Sequence, residues 1–257
     1  SGKKLQKVLE GLTDNVFKGI LLGTAVTAII QSSSGTTVMV VSLVNSGIMK
    51  LRGAIGVIMG ANVGTTVTAW ILSLTGIESS NVFIQMLKPT YFSPVLAMLG
   101  VIFLIFSKRE KRQMLGKILI GFAILMSGMD LMSDAMKPLA ETPEFQQLFV
   151  SFSNPVLGVL VGAVLTALLQ SSSASVGILQ ALCATGIVHM SAAIPIIMGQ
   201  NIGTCITAAL AAIGAKRNAK RAAMIHLSFN LIGTVLFLIA FYVGDALFSF
   251  HFATRMA

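Results

Sequence analysis

Long apolar runs separated by short polar or basic stretches fill most of this chain of 257 residues. A helix rising 1.5 Å per residue needs about 20 apolar residues to cross a hydrocarbon core roughly 30 Å thick. On that measure the pattern predicts spans at 51–76, 92–107, 114–136, 190–213 and 219–243. Two further stretches, 16–49 and 155–188, are apolar at both ends but polar in the middle, at Gln31–Ser34 and Gln170–Ser173. Non-helical backbone at membrane depth survives only against protein or a water-filled cavity. Each stretch is therefore expected to be a re-entrant hairpin of two short helices, the first over 16–30 and 35–47, with the polar tetrad at its tip. No strand pattern intervenes. The expected fold class is an all-α polytopic membrane protein.

The pattern is duplicated. TAIIQSSSG at 27–35 returns as TALLQSSSA at 166–174, and IMGANVGTTVTA at 58–69 returns as IMGQNIGTCITA at 197–208. Both pairs share one offset, 139 residues, and between Asn15/Asn154 and Ala69/Ala208 an ungapped alignment keeps 23 of 55 positions. Shared apolar composition does not preserve two polar motifs and the spacing between them. The chain is thus expected to divide at 1–113 and 114–257. Three full crossings, an odd number, separate the two hairpins, so the repeats are expected to have inverted topology. The span preceding hairpin 155–188 has no counterpart before hairpin 16–49, which leads us to expect an N-terminally shortened chain.

Composition agrees with a lipid solvent: 55% of residues are hydrophobic and 11% charged, against roughly 25% charged in soluble domains. The net charge of +9 is read through the positive-inside rule and not as a nucleic-acid surface. With both hairpins re-entrant, 15 of the 18 basic residues fall on one side. With both crossing, the split is 11 to 7. The re-entrant topology is preferred, placing the Lys-rich N-terminus in the cytoplasm of a multi-pass cell-membrane protein. Cys183 and Cys205 lie in apolar stretches without CxxC spacing and read as packing residues.

Inverted repeats whose interrupted helices meet near the midplane are a transporter architecture. At each hairpin tip, one half-helix ends in carbonyls that attract a cation. The next begins with amides that attract an anion. Gly60, Gly64, Gly199 and Gly203 are expected to let the spans 51–76 and 190–213 unwind. Asn62, Asn201, Thr65 and Thr204 add oxygen donors of the kind a hard cation such as sodium takes.

QSSSG…IMGANVGTTVTA and QSSSA…IMGQNIGTCITA together resemble the signature of the type II sodium-dependent phosphate cotransporters and their bacterial relatives, over nearly the whole chain. The resemblance implies sodium-coupled symport of inorganic phosphate by alternating access across the plasma membrane, in bacteria the inner membrane. It places phosphate on Ser32, Ser33, Ser34, Ser171, Ser172, Ser173, Asn62 and Asn201. It places sodium on Gln31, Gln170, Asn62, Thr65, Thr66, Asn201 and Thr204. His226 and Asn230 resemble a recurring H-x3-N stretch after the second motif; Leu87 and Tyr91 occupy the matching places in the first repeat. They join Asp130, an intramembrane carboxylate, as candidates for coupling or gating. The implied partners are phosphate, sodium and the bilayer, with a possible homodimer, no nucleic acid and no covalent cofactor. A sodium-coupled carrier of a small carboxylate anion is the alternative, since hydroxyl clusters and half-helix N-termini bind either group. No oxyanion hole accompanies the duplicated serines, so no enzymatic activity is expected.

Overall fold

The computed structural model describes residues 2–73, 89–140, 142–143, 154–184 and 188–248, and every regular element among them is an α-helix. In chain order these are α1 (Gly2–Leu12), α2 (Val16–Ile30), α3 (Ser33–Asn45), α4 (Leu51–Ser73), α5 (Pro89–Phe106) and α6 (Glu110–Ala140). Then follow α7 (Pro155–Leu169), α8 (Ser172–Ala184), α9 (Met190–Gly203), α10 (Cys205–Ala211) and α11 (Arg217–Phe248). Met190–Ala211 and Arg217–Leu247 are long and apolar enough to cross a bilayer. A third candidate is the pair Gln6–Leu12 and Val16–Ile30, bent by 110° between its halves.

The starts of α2 and α7 are set by equivalent residues. Asn15 and Asn154 cap them, each side-chain oxygen accepting from the backbone N–H two residues on, at 2.8 and 2.9 Å. This supplies one of the orphan donors at a helix start. α2 then packs along α4, and α7 along α9, at backbone-to-backbone distance. A Cβ added to Gly64 would sit 2.7 Å from the Thr24 carbonyl oxygen and 2.7 Å from the Thr27 Cβ. One added to Gly203 would overlap the Ala163 carbonyl oxygen and lie 2.8 Å from the Thr166 Cβ. Among apolar helices in lipid, such close van der Waals contact is the main source of association.

This use of glycine corrects one expectation. The interruption expected within 51–76 is absent from the described part of that stretch, 51–73, and the one expected within 190–213 is only a short turn at Thr204. α4 is continuous from Leu51 to Ser73, and Thr204, between α9 and α10, keeps helical angles of φ −59° and ψ −25°. The missing side chains serve approach of the neighbouring helix instead of unwinding.

The repeats join through a buried core. Val40, Val41 and Val44 of α3 meet Val57 and Ile58 of α4, Ala208 of α10, and Ala219, Ala222 and Ala223 of α11. α3 thus packs against α10 and α11 of the second repeat, and α8 against α4 and α6. Between repeats, the backbone N–H of Lys216 donates to the Asn45 side-chain oxygen at 2.8 Å. α5 and α6 form a separate close pair whose contact centres on Gly100 and Gly116.

Candidate functional site

The two polar tetrads sit at two matching breaks. Gln31 ends α2 with φ 58° and ψ 28°, and Gln170 ends α7 with φ 53° and ψ 21°. Among the described residues they are the two non-glycine positions with positive φ. A left-handed conformation costs an ordinary L-residue roughly 1–2 kcal/mol. A strained glutamine at both equivalent places signals a required side chain, since glycine would fit the backbone better. The main-chain N–H of each still donates to the carbonyl four residues back, Thr27 at 2.7 Å and Thr166 at 2.8 Å.

The next residue starts the second helix. Ser32 is extended, with φ −147° and ψ 102°, and its Oγ accepts from the Gly35 N–H at 3.0 Å. Ser171 does the same for Ala174 at 3.2 Å. Ser33 and Ser172 are buried at the first position of α3 and α8. The N–H groups of Ser33, Ser34, Ser172 and Ser173 lie in the first helical turn, where helix geometry gives them no acceptor. They carry the positive end of the helix dipole. Because Ser32 and Ser171 use only an oxygen lone pair in capping, their hydroxyl protons remain for an acceptor such as an anion. Each tip therefore gathers donors.

Beneath each tip a buried hydroxyl pair locks the two helices: Thr27 Oγ1 donates to Thr36 Oγ1 at 2.9 Å, and Thr166 Oγ1 to Ser175 Oγ at 2.9 Å. Thr27 and Thr166 are the residues that Gly64 and Gly203 touch, so the G-x-N-x-G-T helices are seated directly against the breaks. In those helices the threonine hydroxyl protons are already committed. Thr65 Oγ1 donates to the Ala61 carbonyl at 3.0 Å, Thr66 Oγ1 to Val63 at 2.6 Å, and Thr204 Oγ1 to Gln200 at 2.9 Å. Their oxygens keep only acceptor capacity, which suits a cation and not an anion.

Several buried polar atoms have no protein partner: Gln31 Oε1, Asn62 Nδ2, Gln200 Oε1 and both ring nitrogens of His226. An unpaired buried polar group costs about 1–3 kcal/mol, so such groups mark places where a ligand or water completes the structure. Gln31 is held in place by its Nε2, which donates to the Ala28 carbonyl and leaves the oxygen free. Asn201 is half-buried, like Gln31 and Asn62, whereas Gln170 is exposed.

Gln200 was missed by motif reasoning. It is 1% exposed on α9, and its Nε2 donates to the Ser175 carbonyl at 3.1 Å. Since a carbonyl only accepts, that bond fixes which end of the amide is oxygen. The matching residue in the first repeat is Ala61. The signal was the one letter by which IMGANVGT and IMGQNIGT differ between Gly and Asn. His226 is fully buried on α11, and Asn230 Nδ2 donates to Cys205 Sγ at 3.2 Å and to the His226 carbonyl at 3.2 Å. Asp130 falls on α6, but its side chain lies outside the described residues. Among the described residues no group of three His, Cys, Asp or Glu is placed to hold a metal ion.

Comparison with known proteins finds the same duplication in the sequence. The sequence model of the Na+/Pi-cotransporter family matches twice in succession, over residues 1–134 and 124–254. YjbB of Escherichia coli strain K12, named provisionally as an inorganic phosphate export protein, is 30% identical over 238 residues. That alignment takes in 92% of this chain and 41% of YjbB, so the chain spans about two fifths of that relative. YqeW of Bacillus subtilis strain 168, an uncharacterised protein, is 32% identical over 237 residues, which are 91% of this chain and 72% of YqeW. The rat sodium-dependent phosphate transport protein 2A is 36% identical over 131 residues, 47% of this chain and 20% of that protein. No solved structure matches significantly. The chain belongs to the Na+/Pi-cotransporter family, whose members are transporters and not enzymes.

Proposed function

We propose that the chain carries the substrate pathway of a sodium-coupled phosphate symporter working by alternating access, with phosphate and sodium bound between the two QSSS tips. The observation that supports this most is the pair of left-handed glutamines, Gln31 and Gln170, each followed by a capping serine and a helix start. Phosphate takes donors: the hydroxyls of Ser32, Ser33, Ser34, Ser171, Ser172 and Ser173 and the amides of the two helix starts, with the Asn62 and Asn201 amides beside them. Sodium takes oxygens: Gln31, Gln170, Asn62, Thr65, Thr66, Asn201 and Thr204, to which Gln200 Oε1 is added by its burial without a partner.

Among these contacts no cationic side chain is available to neutralise the anion. Burying even one unpaired charge at membrane depth costs several kcal/mol. Sodium supplies the countercharge, so each ligand raises the affinity of the other by the same factor. In this reading the helix–break–helix units are re-entrant, the repeats are inverted, and the N-terminal lysines face the cytoplasm. His226 and Asn230, with Asp130, bias the two access states. YjbB is named for export and the rat protein for sodium-dependent transport; a coupled symporter runs in the direction its gradients dictate. The test is phosphate uptake into proteoliposomes holding the purified protein. Uptake should follow an inward sodium gradient and vanish when choline replaces sodium. Uptake of a small carboxylate in place of phosphate, with the same sodium dependence, would transfer the assignment to the alternative carrier.

A further inference from the structure

Two apolar grooves flank the first half of α11, and their mouths carry neighbouring cations. One, about 510 Å³, lies between α4 and α11, lined by Leu51, Ile55, Met59, Ile225 and Phe229, with Arg221 at its end. The other, about 750 Å³, lies between α7, α10 and α11, lined by Ala163, Ala167, Ile206, Ala209 and Leu227, with Lys220 at its end. Met224 borders both. Lys216, Arg217, Lys220 and Arg221 are all exposed, and among the described residues none of them pairs with a carboxylate.

We propose that this is a binding site for one anionic diacyl phospholipid, its acyl chains lying in the two grooves on either side of α11 and its phosphodiester on Lys220 and Arg221. Three features of the site agree on that occupant. The charge complementarity is one-sided: four cations, none paired with a carboxylate among the described residues, at the end of a candidate membrane span of which only 17% is buried. The apolar walls come in two channels, which matches two chains and not a single amphipathic helix or a free anion. The first groove runs from Arg221 to Phe229, about 12 Å of helix, within the roughly 15 Å of one leaflet. Basic pockets between membrane helices are a recurrent lipid headgroup site. Both grooves rest on helices of the proposed pathway, α4 and α10, so an occupying lipid would brace the contact between the repeats.

The test is thermal unfolding of the detergent-purified protein titrated with phosphatidylglycerol or phosphatidylcholine of the same chains, and separately with inorganic phosphate. A saturable rise in melting temperature is expected with phosphatidylglycerol, weakened by 0.5 M salt, with a much smaller one for phosphatidylcholine; any rise with inorganic phosphate comes from the proposed transport site and should be the same when both cations are replaced. Replacing both Lys220→Gln and Arg221→Gln should weaken phosphatidylglycerol binding by about 25-fold, from roughly 5-fold per cation, without altering the response to phosphatidylcholine. Met224→Trp, which fills the shared wall while leaving the cations, should also remove the saturable rise. Equal responses to the two lipids, a response to inorganic phosphate that the double variant loses, or an unchanged preference in the double variant would overturn the proposal. Because the readout is unfolding and not transport, its result stands apart from that of the uptake assay.

Discussion

Gly23→Ala probes the geometry that holds the first break in place. A methyl there would lie 2.9 Å from the Val57 carbonyl carbon, 3.0 Å from the Ala61 nitrogen and still closer to the Val57 carbonyl oxygen. All three are backbone atoms that no rotamer change moves aside. Carbon atoms rest at about 3.5–4.0 Å, so α2 and α4 must part by on the order of 1 Å. Overpacking of this kind costs about 1–3 kcal/mol. The shift also stretches the Thr27–Thr36 bond of 2.9 Å, whose loss adds about 1 kcal/mol. A total near 2–4 kcal/mol is expected in unfolding measured in detergent micelles, with a parallel fall in phosphate affinity as the tip moves. Gly162→Ala should match it in the second repeat. Gly233→Ala, on α11 with nothing within 4 Å of the added methyl, should instead stabilise by up to about 1 kcal/mol. If Gly23→Ala and Gly233→Ala behaved alike, the close seam between α2 and α4 would not be the feature that positions the tip.

Other substitutions separate backbone from side-chain roles. Gln31→Gly and Gln170→Gly relieve the left-handed backbone, so stability should hold or rise by up to about 1 kcal/mol while sodium dependence of phosphate binding is lost; a variant that both folds and keeps its sodium dependence would remove the glutamines from the site. Gln200→Ala deletes an oxygen found only in the second repeat and should weaken sodium binding by about 10-fold or more, read by sodium titration, while Ala61→Ser should change it little. His226→Phe replaces a buried ring whose nitrogens have no protein partner. It should leave melting unchanged or raise it by an amount equivalent to about 1 kcal/mol, yet slow transport in proteoliposomes; unaltered transport would make the histidine a packing residue.

Much of this architecture was legible because polar residues are costly in an apolar run. QSSS announced the breaks, and the helices end within a residue or two of where the tetrads begin. Asn15 and Asn154 each open an apolar run, the place a helix cap takes. The role of the glycines was not legible. Gly60 and Gly64 carry the same letters whether a helix unwinds or another backbone presses against it, and only the partner helix decides. Gln200 escaped for a different reason. Comparison of repeats directs attention to what they share, whereas this residue matters where they differ. The positive φ of Gln31 was equally hidden, because glutamine carries no left-handed preference that a sequence pattern would reveal.

The central claim is that sodium provides the charge that phosphate needs. Phosphate binding to the purified protein, measured across a sodium series and against potassium or choline at matched ionic strength, tests it most directly. The account predicts that phosphate affinity climbs steeply with sodium only. It predicts that phosphate raises sodium affinity by the same factor, that Gln31→Ala and Gln170→Ala flatten both dependences, and that Lys111→Ala, at an exposed position, changes neither. Equal phosphate affinity in all three salts would contradict it.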